Sequence, residues 1–370
     1  MRNRVGIHFH LREHFQMQCL ATLVASAAAA VALAQTPSPA TAAAPTPAYR
    51  IVRTIPLGAP DRWDYLSFDP ESHRIYVSHG DRVTVVDGHD GTVFGDVTGF
   101  PGGTHGIAVA TAMGRGYTDD GRAGEAASFN LATLKVGKRI KAAEDADGIV
   151  FDPASGNLFV INGESATLTV IDPRSDTVLA TVEAGGALEF GVSGNNGKLY
   201  VDGVGRNEIV RVDTRTNVAD AHWPMPGCTT PRGLAIDLQT HRLFASCGNK
   251  VLVVVNADSG AIVAQLPIGA GSDGAAFDPV RRRIFSSNGQ DGTLSIIGEL
   301  DAQTFVPLGE IRTAPLARTM SIDPGTGRIY VVTADLDEKA PADPPAGAGL
   351  RRRQIVPGSV KLLFLDPVAP

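Results

Sequence analysis

The sequence predicts an all-β protein, a seven-bladed β-propeller built from blades of four antiparallel strands. One sequence pattern recurs along most of the chain. It consists of a short apolar strand, an Asp-Pro turn, a basic residue and an aromatic strand. Seven such units can be counted, at the period of about 40 residues that is typical of propeller blades. No convincing amphipathic helix is present, because apolar residues alternate or run continuously between turns rich in Gly, Asn, Asp and Pro.

The repeat is clearest in two copies, which read FDPESHRIYVSHGDRVTVVDGHDGTV at 68–93 and FDPASGNLFVINGESATLTVIDPRSDTV at 151–178. Each unit contains about four strand-like runs separated by turn residues. A β-solenoid is the alternative architecture, but its coils use fewer residues and less complete hairpins. The remaining copies are degenerate or weak, and they begin at Ile236, Phe277 and Ile322 or lie around Tyr117 and Tyr200.

The two ends of the predicted propeller fit together. The last unit ends with a third-strand pattern at 360–366, and too little chain follows it to form a fourth strand. The segment 49–57, YRIVRTIPL, matches the missing outer strand. We therefore expect this N-terminal strand to complete the last blade and close the ring, which removes an exposed strand edge.

The first 48 residues have the pattern of an export signal and a tether. Arg2, Arg4 and Arg12 precede a short Ala-rich apolar run, and small residues lead up to Ala34. This order is typical of a secretory signal peptide at 1–34, and the run is too short to span a membrane. A Pro/Ala/Thr-rich stretch at 35–48 is predicted to be a disordered tether before the propeller at 49–370. The sequence thus predicts a periplasmic or secreted protein with no transmembrane segment.

Charge argues against one class of partner. The chain has 33 Lys and Arg against 39 Asp and Glu, for a net charge of −6. Proteins that bind nucleic acid usually carry a basic excess, so we expect no nucleic-acid partner.

The repeats resemble those of the YVTN-repeat, YncE-like family of exported seven-bladed propellers. The nearest forms of the family's signature tetrad are IYVS at 75–78 and LFVIN at 158–162, and the likeness covers nearly the whole chain after the leader. The resemblance implies a propeller that acts mainly as a binding or scaffold module. It does not fix a function, because one fold hosts many.

One column of the repeat consists of ionisable residues only. These residues lie five positions before the Asp of each Asp-Pro, or before its equivalent, and are 41 to 45 residues apart. The first strand of a propeller blade lines the central channel, so we expect the column to form a ring at one end of the channel, here called the mouth. The members of the ring are Asp64, His105, Asp147, Glu189, Arg232, Asp273 and Arg318.

The ring has two interpretations. It is either a solvated channel lining with compensating charges, or a site for a small anionic ligand in which Arg232 and Arg318 bind carboxylate or phosphate. Its carboxylates also suit hydroxyls or a hard cation such as Ca²⁺. The ring carboxylates thus leave open a divalent cation bound in the channel. Because no metal or cofactor motif is present in the sequence, we expect no other cofactor.

A second polar column lies at the ends of the second strands, which return to the same mouth. Turn formation is the alternative explanation, especially for the Asn residues. The longest departure from the repeat, 334–357, also follows a second strand and carries three arginines at 351–353. It is either a tolerated surface insertion or a lid or docking arm. The second column contains His79, Asp120, Asn162 and Asn288, with Gly203, Cys247 and Thr333 at the other equivalent positions.

Two cysteines remain once the leader, which contains Cys19, is removed. Pairing Asp237 with Arg242 across their hairpin puts Arg232 opposite Cys247, with Cys228 four residues upstream. In an oxidising compartment this spacing predicts a Cys228–Cys247 disulfide.

Two classes of function remain open. The first is a non-catalytic binding or interaction propeller that presents its mouth to a small anionic ligand or a protein partner. The second is a lactone hydrolase or isomerase, with His105, Glu189, Arg232 and Arg318 as candidates for proton transfer on a carboxylate-bearing lactone. No linear catalytic motif is present to decide between them. Trp63 and Trp223 suit either ligand stacking or interior packing, and a quinoprotein is a distant third class.

Overall fold

The structure, a computed structural model, describes residues 49–337 and 355–368. Within them it contains seven sheets of four antiparallel strands arranged as blades in a ring, which confirms the predicted all-β seven-bladed propeller. The only helical segments in these ranges are two short 3₁₀ turns, Thr111–Met113 and Gly121–Ala123. The predicted signal peptide at 1–34, the tether at 35–48 and the arginines at 351–353 lie outside the described residues.

The strands follow one another from the channel outward in each blade. Blade 1 contains β2 (Leu66–Asp69), β3 (Arg74–His79), β4 (Arg82–Asp87) and β5 (Val93–Thr98). Blade 2 contains β6 (Ile107–Ala110), β7 (Arg115–Asp120), β8 (Glu125–Asn130) and β9 (Val136–Lys141). Blade 3 contains β10 (Ala146–Asp152), β11 (Asn157–Asn162), β12 (Thr167–Asp172) and β13 (Thr177–Glu183). Blade 4 contains β14 (Gly191–Ser193), β15 (Lys198–Gly203), β16 (Glu208–Asp213) and β17 (Val218–Pro224).

The remaining blades have the same plan. Blade 5 contains β18 (Pro231–Asp237), β19 (Arg242–Cys247), β20 (Val251–Asn256) and β21 (Ile262–Pro267). Blade 6 contains β22 (Ser272–Asp278), β23 (Arg283–Asn288), β24 (Thr293–Glu299) and β25 (Phe305–Arg312). Blade 7 contains β26 (Thr319–Asp323), β27 (Arg328–Thr333) and β28 (Lys361–Pro367), and its outer strand is β1 (Tyr49–Pro56).

The Asp-Pro pair of the repeat begins the turn between the first and second strands. In blade 1 the Asp69 carboxylate accepts hydrogen bonds from the Ser72 hydroxyl at 2.5 Å and from the Glu71 N–H at 3.2 Å. The turn ends on a residue with positive φ, His73 in blade 1 and Gly156 in blade 3. Asp and Ser therefore hold the turn through their side chains, and the last position needs a residue that tolerates the left-handed conformation.

The aromatic residue of the repeat packs each blade against the next. The seven equivalents in the second strands are all at most 1% exposed. Three of their hydroxyls donate to carbonyls of the following blade, Tyr117 to Pro173 at 3.1 Å, Tyr200 to Ala257 at 2.9 Å and Tyr330 to Gly88 at 3.1 Å. The repeat thus encodes contacts between neighbouring blades as well as the blade itself. The seven are Tyr76, Tyr117, Phe159, Tyr200, Phe244, Phe285 and Tyr330.

The ring closes as the sequence predicts. β1 pairs antiparallel with β28, from Tyr49 opposite Pro367 to Pro56 opposite Lys361. Contacts at the seam between blades 7 and 1 reinforce the closure, because the Arg328 guanidinium binds the Asp366 carboxylate at 2.6 and 2.8 Å and donates to the Gly88 carbonyl at 2.8 Å.

The predicted cysteine pair is present as a disulfide. The S–S distance between Cys228 and Cys247 is 2.06 Å, and the bridge joins the loop before β18 to the end of β19. The predicted register next to it is wrong by one residue. Asp237 does pair with Arg242, but a β-bulge between Pro231 and Gly233 puts Pro231, and not Arg232, opposite Cys247.

A search of the described helical segments finds none long and apolar enough to cross a membrane.

Candidate functional site

The structure places all seven ring residues within two residues of the starts of the innermost strands and brings them together in two groups. Ion pairs join one group, Glu189, Arg232, Asp273 and Arg318. In the other group, Asp64, His105 and Asp147, the nearest side-chain O and N atoms all lie within 4.8 Å of one another.

A β-bulge positions the ring residue in at least three blades. The register of β10 against β11 shifts at Asp147, that of β18 against β19 at Arg232, and that of β22 against β23 between Ser272 and Ala275, where Asp273 lies. A bulge leaves one residue unpaired and redirects its side chain. In these three blades the inward direction therefore follows from a departure from regular pairing, which strand alternation alone does not predict.

The first group is a chain of alternating charges. Arg232 Nη1 lies 3.3 Å from Glu189 Oε1 and 3.4 Å from Asp273 Oδ1. The other oxygen of Asp273 binds Arg318 Nη1, and Arg318 Nη2 donates to the Trp63 carbonyl at 3.1 Å. One buried carboxylate thus holds two guanidiniums. This arrangement orients both arginines and neutralises part of their charge.

Glu189 is a carboxyl group that titrates near neutral pH. Burial raises its pKa to about 7, although the charge of Arg232 opposes the shift. The Tyr65 hydroxyl donates to Glu189 Oε1 at 3.3 Å. A carboxyl group with this pKa can gain or release a proton at physiological pH.

The second group is organised around His105. Its Nδ1 lies 2.8 Å from Oδ1 of the fully buried Asp119, whose oxygens also accept from the backbone N–H groups of His105 and Gly106 at 3.0 and 2.6 Å. Arg62 Nη2 lies 2.5 Å from His105 Nε2. The guanidinium can only donate, so in this contact the neutral ring accepts through Nε2 and donates to Asp119 through Nδ1.

The charges around His105 favour its protonated form. Burial lowers the pKa of His105, but the hydrogen bond to Asp119 and the carboxylates of Asp119, Asp64 and Asp147 outweigh it and raise the pKa to about 9. A protonated ring cannot accept from Arg62. Uptake of a proton by His105 therefore requires Arg62 to move away.

The two carboxyl groups beside His105 face the channel. Asp64 makes its hydrogen bonds through its backbone, to the Ser78 carbonyl at 3.0 Å and from the Thr319 hydroxyl at 2.8 Å. Within the described residues neither the Asp64 nor the Asp147 carboxyl group has a hydrogen bond or an ion pair. Burial raises the pKa of both, and for Asp147 the charge of Asp64 adds to the effect.

A further column behind the ring, which the sequence analysis did not identify, is polar in five of the seven blades, with Ile161 and Val332 in the other two. It occupies the fifth position of the second strands, where Ser78 donates to the His105 carbonyl at 2.5 Å and Asp119 holds the His105 ring. Its blade 4 member, Asp202, is fully buried, and neither carboxyl oxygen has a hydrogen-bond partner among the residues that the structure describes. The signal was present, because a polar residue directly precedes the second polar column in five of the seven repeats.

The second polar column braces the blades. Asn162 Nδ2 donates to the hydroxyls of Thr167 and Thr169 at 3.1 and 3.0 Å. Asn288 repeats this pattern with Thr293 at 3.0 Å and Ser295 at 2.8 Å. His79 Nδ1 lies 3.0 Å from the Thr84 hydroxyl, and Asp120 lies 3.4 Å from an Arg139 nitrogen. These contacts give the second polar column a structural role within the blades, as in the interpretation that assigns it to local structure and not to a ligand.

Cavities adjoin both groups at the mouth. One of about 220 Å³ is lined by Trp63, Asp64, Arg318 and Ile355, among others. Ile355 forms a β-bridge with Leu336, so the two ends of the 334–357 insertion meet beside this cavity. A second cavity, of about 420 Å³, is lined by residues that include Arg232, Asp273 and Gln290.

The two tryptophans differ in position. Trp63 borders the first cavity and is 4% exposed. Trp223 instead stacks on Tyr200 at 6.0 Å between ring centroids, and the Arg211 guanidinium lies 5.1 Å from its ring centroid. Trp223 thus packs in the hydrophobic cluster between blades 4 and 5.

Comparison with known proteins supports the fold. No protein-family model matches the chain, and no curated protein matches it. Among solved structures, the chain is similar to Kuenenia stuttgartiensis hydrazine synthase, with a TM-score of 0.64 and 13% sequence identity over 72% of this chain and 91% of that one. At this identity the likeness concerns the propeller fold alone.

Proposed function

We propose that this protein is an exported, non-catalytic binding propeller of the YVTN-repeat, YncE-like kind, which takes a small anionic ligand, or an acidic group of a protein partner, at its channel mouth. The observation that carries the proposal is the pair of guanidiniums, Arg232 and Arg318, held by the single buried carboxylate of Asp273.

The arginine pair suits a carboxylate or phosphate ligand. Guanidinium presents several N–H donors in one plane and binds such groups through two parallel hydrogen bonds. Both ion pairs of Arg232 use Nη1, and its side chain remains 40% exposed. Its other donors can therefore reach a ligand in the cavity of about 420 Å³, a size within the usual range of small-molecule sites.

Export is supported by two independent features. The leader at 1–34 has the charge and apolar pattern of a signal peptide. The Cys228–Cys247 disulfide is a bond that persists in oxidising compartments such as the periplasm or the extracellular space.

The binding proposal is tested with a panel of small carboxylic acids, sugar acids and phosphates, each paired with its uncharged analogue. We expect members of the panel to raise the melting temperature, and their neutral analogues to have no effect. The double variant Arg232→Ala/Arg318→Ala should lose at least 10-fold in affinity for the best acid. Arg211→Ala is the matched control, because Arg211 pairs with Asp220 at 2.7 Å in blade 4. Equal affinity in the double variant would refute the ring as the binding site.

The alternative is an enzyme that opens or isomerises a carboxylate-bearing lactone. The observation that favours it is Glu189, a buried carboxyl group with its pKa raised to about 7 and located between Tyr65 and Arg232. Such a group is suited to general acid or base catalysis at neutral pH. Lactone turnover that disappears in Glu189→Gln while acid binding remains would favour the enzyme over the binding protein.

A further inference from the structure

We infer that Asp64, His105 and Asp147 form a binding site for a divalent first-row transition metal such as Zn²⁺ or Mn²⁺. The three residues occupy equivalent positions in three successive blades, and their potential ligand atoms lie within 4.8 Å of one another. The inference goes beyond the proposed function, because this group of residues does not include the arginine pair.

The imidazole is already oriented as a metal ligand. Asp119 is fully buried and holds His105 Nδ1 at 2.8 Å, so Nε2 is the ring nitrogen left to bind a metal together with Asp64 and Asp147. Metal-binding histidines commonly donate their other N–H to a carboxylate in this way, which fixes the ring and its tautomer. Asp119 also accepts from two backbone N–H groups, so it is rigidly placed.

The two carboxyl groups complete an open three-ligand site. Neither carboxyl group makes a hydrogen bond or an ion pair in the part of the chain that the structure describes, and once both are deprotonated beside a neutral imidazole the group offers two negative charges to a dication. Asp64 borders the cavity of about 220 Å³, which leaves room for water or another small molecule on the metal. One imidazole with two carboxylates favours Zn²⁺ or Mn²⁺, whereas Ca²⁺ and Mg²⁺ prefer oxygen ligands throughout.

A positive charge already lies where the metal would bind. Arg62 Nη2 lies 2.5 Å from His105 Nε2, and a zinc–nitrogen bond of about 2.0 Å needs the same lone pair. Arg62 belongs to the connection between β1 and β2, outside any strand, and its side chain borders the same cavity. The guanidinium and the metal therefore compete, and metal binding requires Arg62 to move out of the site.

The test is calorimetric titration of the chelator-treated full chain with ZnCl₂, MnCl₂ and CaCl₂, without any organic acid. We expect one ion per chain, with Zn²⁺ and Mn²⁺ bound more tightly than Ca²⁺. His105→Gln and Asp147→Asn should each weaken Zn²⁺ binding at least 100-fold, and Asp119→Asn should weaken it about 10- to 100-fold. Arg62→Gln should strengthen it. Because no acid ligand is present, the outcome is independent of the proposed function.

A surface histidine pair provides the control. The ring centroids of His73 and His89 lie 4.4 Å apart in blade 1, and such a pair can bind Zn²⁺ adventitiously. His89→Gln should leave the tight site intact. Zn²⁺ binding that survives His105→Gln and Asp147→Asn but disappears in His89→Gln would overturn the inference. The absence of saturable binding in Arg62→Gln would also overturn it. If circular dichroism shows that His105→Gln does not fold, the Zn²⁺ affinity of Asp147→Asn is the deciding measurement.

Discussion

Replacing the buried Asp202 with Asn should stabilise the protein at neutral pH. Asp202 is fully buried, and within 49–337 and 355–368 neither of its carboxyl oxygens has a hydrogen-bond partner. Burial, together with the charge of Glu189, raises its pKa well above the ordinary 3.8. A fully buried carboxyl group without a hydrogen-bond partner is most stable as the neutral acid, so we expect the folded state to hold the protonated form, whereas the unfolded chain at neutral pH holds the carboxylate. Folding at pH 7 must include the uptake of a proton, which costs free energy.

The magnitude of this cost is set by the pH and by the unfolded pKa. Each pH unit above 3.8 adds about 1.4 kcal/mol to the free-energy cost of protonating Asp202 on folding. The upper limit of this cost is therefore about 4 kcal/mol at pH 7 and about 1.6 kcal/mol at pH 5. Asn does not titrate and leaves a similar uncharged polar group buried. The gain from Asp202→Asn should therefore be about 2–4 kcal/mol at pH 7, and it should fall towards zero as the pH approaches 3.8.

Urea denaturation of both proteins at pH 5 and pH 7 measures this gain. Asp119→Asn is the matched control, because Asp119 occupies the same strand position in blade 2 but accepts three hydrogen bonds, and its loss should destabilise. A gain from Asp202→Asn that is equal at the two pH values, or a loss at pH 7, would refute the reasoning. Either result would mean that the folded protein holds Asp202 as a carboxylate.

Three further outcomes are expected. Replacing both Cys228 and Cys247 with Ala should lower the unfolding free energy by about 3 kcal/mol, since the bridge spans 19 residues; denaturant titration with and without reductant checks this. Deleting 49–57 should lower the melting temperature sharply, because β28 loses its outer partner strand, whereas deleting 35–48 should not; equal effects would contradict the closure. Tyr330→Phe should cost about 1 kcal/mol by removing a hydrogen bond across the seam, while Tyr76→Phe should cost nothing, because the Tyr76 hydroxyl has no partner among the described residues; equal losses in chemical denaturation would argue against this role.

The sequence was sufficient to predict the fold and the column that became the ring. The repeat spacing locates equivalent residues in every blade, and ring closure follows from the unmatched strand at 49–57. Strand pairing across one hairpin was also enough to predict the disulfide, even though the register there was wrong by one residue. Each of these features depends on backbone periodicity, which a single sequence contains.

The contacts of the ring residues could not be predicted in the same way. The bulges that direct Asp147 and Arg232 inward have no signature in the spacing, because an extra residue in one strand leaves the repeat length nearly unchanged. Arg62 comes from a connection outside the repeat, so no comparison of copies points to it. The pairing of His105 with Asp119 depends on side-chain direction from two strands. Such contacts require coordinates.

The pairing of β1 with β28 determines how the ring responds to mechanical tension. Tyr49, at the start of β1, lies opposite Pro367, at the end of β28, so force applied through the two chain ends acts on the same edge of this antiparallel pair. The hydrogen bonds then break one after another, as in unzipping, instead of sharing the load as they would in shear. Pulling between residues 49 and 367 in an optical trap should detach β1 at low force before any other blade loses a strand. The β1–β28 pair is therefore the mechanically weak point of the propeller, and a protein tethered at both ends would open there first.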